Sequence, residues 1–267
     1  MPLLTWILLF SLLGGVLSVL AAALFLVFPA ALRTRLLPHL VSFAIGALLG
    51  AAFLALLPHA LSSPGVDDLH TITGTVLLGL LGFFLLEKLV LWRHCHHAEC
   101  EVHALDEGHA HAQADNGRAR AAGNLILIGD GIHNLVDGIL IAAAFMTDIH
   151  LGIVTSLAVA AHEIPQEVGD FAVLLHSGLS RARALTYNVM TSLTTVIGAL
   201  LAYYGLREAE AALPFILAIA ASSFIYIAVA DLIPGLHKRL DGRATAQQIL
   251  LIAAGVLTIH LAHSTLH

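Results

Sequence analysis

The chain contains 267 residues, of which 58% are hydrophobic and only 11% are charged. Soluble globular domains are about 45–50% apolar and about 25% charged, so this composition excludes a water-soluble monomer. Only 6% of the residues are aromatic, and the aliphatic excess favours lipid-facing helices over the alternating strands of an outer-membrane barrel. The formal net charge of −6 provides no basic surface, so we expect no nucleic-acid partner.

Eight nearly uncharged stretches are long enough to cross a bilayer, because a hydrocarbon core of about 30 Å needs roughly 20 helical residues. A backbone in lipid must satisfy its hydrogen bonds within helices or a closed barrel, and no stretch has the alternation of a strand. We therefore predict an all-α integral membrane protein with a single transmembrane domain over residues 1–267. The predicted spans are residues 3–28, 40–61, 72–92, 121–146, 150–178, 182–205, 213–236 and 246–266.

The basic residues predict the orientation of these spans. Eleven of the 12 Lys and Arg residues lie in alternate connections, and only Arg207 lies in the others. Because basic connections stay on the cytoplasmic side, we expect both termini outside. We also expect a multi-pass protein of a bacterial cytoplasmic (inner) membrane. The eleven residues are Arg33, Arg35, Lys88, Arg93, Arg118, Arg120, Arg181, Arg183, Lys238, Arg239 and Arg243.

The connection between the third and fourth spans, residues 94–120, differs from the rest in composition. We predict a disordered cytoplasmic loop there, rich in histidine and acids. Imidazole and thiolate together favour Zn, Cu or Ni, but the spacing does not match a closed zinc knuckle. Weak metal capture and a merely solvated linker therefore both stay open. The nitrogen and sulfur donors are His94, Cys95, His96, His97, Cys100, His103, His109 and His111.

The fourth and fifth spans each carry a polar cluster, although an ionisable group near the bilayer centre costs at least about 2.5–3.5 kcal/mol. Helical spacing places the members of each cluster on one face of its helix. We therefore expect the two faces to meet. The fourth span contains Asp130, His133, Asn134 and Asp137, and the fifth contains His162, Glu163, Gln166, Glu167 and Asp170.

The two clusters also lie at matching depths. Counted from the turn near Ile149, Asp137 lies twelve residues back and His162 thirteen forward, while His133 and Gln166 lie sixteen back and seventeen forward. Antiparallel neighbouring helices would bring these side chains level. Imidazole, carboxylate and amide groups that converge in this way predict a divalent-cation site near the midplane. A proton relay is the alternative.

Two motifs in these clusters resemble those of the ZIP (Zrt/Irt-like) family of divalent metal transporters. HNLVDG at residues 133–138 is similar to the HNxxDG motif of the family's fourth helix, and HEIPQE at residues 162–167 is similar to the HExPHE motif of its fifth. The resemblance covers the whole chain and points to a LIV-1-like or bacterial branch. It implies transport of Zn²⁺ toward the cytoplasm. Fe²⁺, Mn²⁺ and Cd²⁺ are further candidate substrates, and a homodimer is the candidate assembly.

The resemblance further implies a 3+2+3 inverted repeat, in which spans 1–3 and 6–8 surround spans 4 and 5. It also implies a binuclear site. Gln166 replaces a histidine of the eukaryotic motif, and its amide oxygen is a harder, weaker ligand than imidazole, so we expect relaxed metal selectivity. In the implied site His133, Asp137, His162 and Gln166 line one metal position, and Asn134, Asp137, Glu163 and Gln166 line the second.

Two alternative functions belong to other classes of protein. HEIPQE begins like the HExxH motif of zinc metalloproteases, including intramembrane ones, but Gln166 stands where the second histidine is needed and Pro165 lies beside it. We therefore expect no enzymatic activity. A metal-sensing membrane protein is the other alternative, and metal accumulation in proteoliposomes would distinguish a transporter from it.

Overall fold

The computed structural model describes residues 1–66, 68–95, 112–237 and 241–266, and these residues form helices joined by short turns. The prediction of an all-α protein is confirmed. Two π-helical segments, Ala52–Leu56 and Ile227–Leu232, and a 3₁₀ turn, Glu210–Ala212, accompany the α-helices. The α-helices are α1 (Leu3–Gly14), α2 (Val16–Val27), α3 (Ala30–Ala51), α4 (Leu57–Ser62), α5 (Leu69–Cys95), α6 (Ala112–Thr147), α7 (Ile149–His176), α8 (Arg181–Leu206), α9 (Leu213–Tyr226), α10 (Ile233–Leu236) and α11 (Gly242–Leu266).

Seven helical stretches of the described residues are long and apolar enough to cross a membrane. The fifth predicted span corresponds to α7, which is not among the seven and carries the polar cluster. This helix contacts α1, α2, α3, α6, α8 and α11, so its polar groups face protein, where a membrane protein tolerates them. The count of eight spans and the external termini stay predictions. The seven stretches are Leu3–Val27, Ala30–Ser62, Leu69–Leu89, Ile126–Thr147, Arg181–Leu206, Glu210–Leu236 and Gly242–Thr265.

Several helix boundaries differ from the predicted ones. The first span is divided at Gly15, and the helix of the second begins at Ala30, ten residues before the predicted start. The predicted loop over residues 94–120 is helical up to Cys95 and again from Ala112, because the alanine- and arginine-containing stretch that precedes the fourth span favours helix. Most of the predicted metal-capturing tract, residues 96–111, lies outside the described residues.

The second and seventh spans share an unusual backbone feature. Each contains a π-helical segment, and a proline follows two residues later, Pro58 in α4 and Pro234 in α10. Proline has no N–H and cannot extend an α-helical hydrogen-bond ladder, so the wider π winding accommodates the interruption. The second span packs on the eighth (α3 on α11), and the seventh packs on the third (α9 on α5). These matched features agree with the inverted repeat that the resemblance implies.

Glycines bring α6 and α8 into close contact beside the polar cluster. A Cβ atom on Gly138 would lie 1.9 Å from the carbonyl oxygen of Thr195, and one on Gly198 would lie 2.0 Å from that of Leu135. Only glycine lets the two backbones approach so closely, as in other small-residue crossings of membrane helices. The contact holds the polar face of α6 against α8.

Candidate metal site

Four side chains from α6 and α7 meet in one small space, and one ligand atom from each lies within 4.8 Å of the others. The Nε2 atoms of His133 and His162 are 3.2 Å apart, and His162 Nε2 lies 3.3 Å from Asp137 Oδ2. His133 Nε2 lies 3.4 Å from Glu163 Oε1 and 3.7 Å from Asp137 Oδ2. The cluster therefore offers two imidazole nitrogens and two carboxylates to a single ion.

The two carboxylates of this cluster lack a hydrogen-bond donor among the described residues. Asp137 and Glu163 are each buried, and none of their four oxygen atoms is hydrogen-bonded within the described residues. Beside neutral imidazoles such buried carboxylates are strongly unfavourable, and a divalent cation would neutralise both at once. The unmade hydrogen bonds therefore indicate a cation site.

The orientation of His162 fits metal ligation. Its Nδ1 lies 3.0 Å from the carbonyl oxygen of Ala158, one turn earlier on α7. A carbonyl only accepts hydrogen bonds, so Nδ1 carries the proton and donates it. In the neutral ring the lone pair then resides on Nε2, the atom that faces Asp137. A backbone carbonyl commonly fixes a metal-binding histidine in this way.

The turn between α6 and α7 sets the register of the cluster. It consists of Asp148 alone, whose Oδ1 accepts hydrogen bonds from the backbone N–H groups of His150 (2.8 Å) and Leu151 (2.9 Å) and so caps α7. A turn this short makes the helices antiparallel neighbours. The prediction that Asp137 and His162 lie level is confirmed by their 3.3 Å contact.

Comparison with known proteins agrees with this geometry. The sequence model described as ZIP zinc transporter matches residues 92–262, which include all four residues of the cluster. The chain belongs to the ZIP family. It is therefore a divalent metal transporter and a multi-pass membrane protein.

Individual ZIP proteins match much of the chain. Zinc transporter ZIP13 of Pongo abelii is 32% identical over 281 residues, which cover 96% of this chain and 78% of that protein. Zinc transporter ZIP13 of Homo sapiens is 32% identical over 301 residues, or 96% of this chain and 81% of that protein. Zinc transporter ZIP4 of Homo sapiens is 43% identical over 120 residues, which cover 45% of this chain and 18% of that protein.

The two predicted amide ligands of this ZIP protein lie outside the four-residue cluster. Asn134 is fully buried, and its amide donates to Asp130 Oδ1 (2.9 Å) on the same helix. It faces α8, because its oxygen accepts from Thr195 Oγ1 (2.7 Å). Gln166 lies on α7 one turn beyond His162 and is half-buried. Neither amide is hydrogen-bonded to the four clustered side chains in the described part of the chain.

A second polar layer joins α7 to α8 and was not predicted from the sequence. Glu167 accepts hydrogen bonds from Asn188 Nδ2 (2.7 Å) and Ser192 Oγ (3.2 Å), and all three residues are buried. This layer fixes the position of α7 against α8, one helical turn after Glu163. The sequence contains a signal for it, because Asn188, Ser192 and Thr195 follow an i, i+4, i+7 spacing on one face of the sixth span.

Proposed function

We propose that this ZIP protein transports Zn²⁺ toward the cytoplasm through the cluster of His133, Asp137, His162 and Glu163. One observation carries the proposal: two imidazoles and two unbonded carboxylates converge inside a helical bundle. Four nitrogen and oxygen ligands are what Zn²⁺ prefers in proteins.

The proposed site has two metal positions, as the resemblance implies. The donors nearest one another, His133 and His162 with Asp137, would hold the first ion, and Gln166 would complete it from the next turn of α7. Asn134 and Glu163 would hold the second ion together with Asp137 and Gln166. The oxygen of Asn134 keeps one lone pair beyond its bond with Thr195, so it can still bind a metal.

Exchange of the ion with solvent would occur along the His133 side of the cluster. His133 is 22% exposed, whereas the other three side chains are at most 1% exposed. A ligand that reaches water can take up or release an ion without opening the rest of the bundle. The mixed nitrogen and oxygen donors contain no thiolate, which favours release over permanent capture and extends the proposed substrates to Fe²⁺, Mn²⁺ and Cd²⁺.

We further propose that the chain forms one transport domain, acts as a homodimer in a bacterial cytoplasmic membrane and catalyses no reaction. Hydrolysis by a HExxH enzyme needs a second histidine ligand one turn after the first. Gln166 occupies that position on α7. We propose Glu163 as a metal ligand and not as a general base.

Uptake by proteoliposomes tests the transport proposal. We expect the protein to accumulate zinc inside the vesicles, where a trapped zinc-sensitive dye reports it. His162→Ala or Asp137→Ala should lower the rate of zinc uptake at least about tenfold, because each removes a ligand. His176→Ala is the matched control, since this histidine lies at the exposed end of the same helix and contacts its own backbone at Ala172. Wild-type rates in His162→Ala would refute the proposed site, and zinc binding without accumulation would favour a sensor.

A further inference from the structure

A groove with mainly apolar walls lies where α2, α3, α7 and α8 meet at one end of the bundle. Its cavity has a volume of about 590 Å³. A second cavity of about 460 Å³ shares Leu26 and Arg33 with the first and continues between α3 and α7. The residues that define the first cavity include Leu26, Arg33, Phe171, Leu175, Arg181 and Leu185.

Two arginines provide the positive charge of this groove. Arg33 lies in the first turn of α3, and Arg181 is the first residue of α8. The Nε–H of Arg33 is buried and has no hydrogen-bond acceptor. Across the described ranges neither guanidinium forms an ion pair with a carboxylate. A buried donor without an acceptor is costly, so the groove is suited to a ligand that brings an anionic oxygen.

The shape and charge of the groove identify the class of that ligand. Guanidinium groups bind phosphate oxygens through charge-assisted, bidentate hydrogen bonds. The two apolar cavities meet at Arg33, so a molecule bound there would place an anionic head at the arginines and two apolar chains away from them. Basic pockets between transmembrane helices on the cytoplasmic side suit anionic headgroups, and both arginines lie in connections predicted to be cytoplasmic.

We propose that the groove binds one anionic phospholipid, with its phosphate between Arg33 and Arg181 and its acyl chains in the two cavities. The lipid would pack against the half of α7 that follows the metal site, where Val168 and Phe171 line the groove. This lipid site is separate from the proposed ion pathway and does not depend on it.

Lipid binding to the purified, delipidated protein tests the proposal. Native mass spectrometry would measure bound phosphatidylglycerol, and thermal unfolding would measure the stabilisation that it produces. The double variant Arg33→Gln, Arg181→Gln should bind phosphatidylglycerol about thirtyfold more weakly, since each arginine near an anionic lipid contributes a factor of about five. Arg35→Gln, Arg183→Gln is the matched control: it removes the same charge two residues further along each helix, outside the groove lining, and should bind like the wild type.

A second variant keeps both arginines and fills the groove. Ala182 lines the first cavity beside Arg181, so Ala182→Trp should exclude the lipid without any change of charge. Normal elution on size exclusion would show that each variant is folded. Equal weakening by both arginine pairs, equal binding of phosphatidylcholine, or the same stabilisation by inorganic phosphate alone would overturn the assignment.

Discussion

His133 Nε2 lies 3.2 Å from His162 Nε2, although the two residues are 29 positions apart in the sequence. The rings are nearly perpendicular, with an interplanar angle of 88°. The lone pair of His162 points into the space between them, because the proton of that ring is on Nδ1 and faces the backbone. Two imidazoles that approach edge to edge beside Asp137 and Glu163 leave room for a cation held by all four.

The first prediction concerns stability without metal. Glu163→Gln removes a buried carboxylate that accepts no hydrogen bond from the described residues, so the free energy of unfolding of the metal-free protein should rise by on the order of 1 kcal/mol or more. Zinc at about 100 times its dissociation constant should stabilise the wild type by about 2.7 kcal/mol and the variant by less. Thermal unfolding with a chelator and then with zinc measures both.

Glu208→Gln is the control for that measurement, because Glu208 is exposed beyond the end of α8. It should change neither value. A Glu163→Gln variant that is less stable than the wild type in chelator would mean that the carboxylate is satisfied without an ion.

The second prediction concerns metal selectivity. Gln166→His replaces an amide oxygen with imidazole and restores the histidine of the motif, so it should strengthen zinc binding relative to Mn²⁺ and Fe²⁺ and slow zinc release. Competition of Zn²⁺, Cd²⁺, Mn²⁺ and Fe²⁺ for uptake by both proteins tests this. The same ranking of the metals and the same affinities in both proteins would show that Gln166 is not a metal ligand.

The third prediction concerns the layer between α7 and α8. Asn188→Ala leaves Glu167 Oε2 buried without its donor at 2.7 Å and should lower the free energy of unfolding by about 1–3 kcal/mol. Ser192→Ala should cost less, because its hydroxyl lies further away at 3.2 Å. Thr186→Ala is the control, since this exposed hydroxyl contacts only its own helix backbone. Equal stability of all three variants would contradict the proposed role of the layer.

The fourth prediction concerns the crossing of α6 and α8. Gly138→Ala places a methyl group 1.9 Å from the Thr195 carbonyl oxygen, and neither backbone can yield, so we expect a loss above about 3 kcal/mol and little folded protein. Gly129→Ala, on the same helix with no heavy atom within 4 Å of the added methyl group, should fold normally. Size-exclusion yield in detergent compares them, and equal yields would show that the helices can separate without penalty.

The sequence alone determined the class of the protein and much of its site. Long aliphatic stretches require helices in lipid, and helical periodicity fixes which side chains share a face. The depth of Asp137 and His162 followed from counting residues to a short turn, because each helical residue advances by a constant rise. The four clustered residues were therefore all among those predicted.

Only the tertiary structure decided what each polar face meets. Periodicity describes a helix by itself, so it could not show that Asn134 turns toward Thr195 on α8 or that Asn188 holds Glu167. The contact of Asn134 with Thr195 depends on the close crossing of α6 and α8. The glycines permit this crossing, but their spacing in the sequence does not show which helix is the partner. The groove at Arg33 and Arg181 likewise exists only because α3 and α8, distant in sequence, begin at the same edge of the bundle.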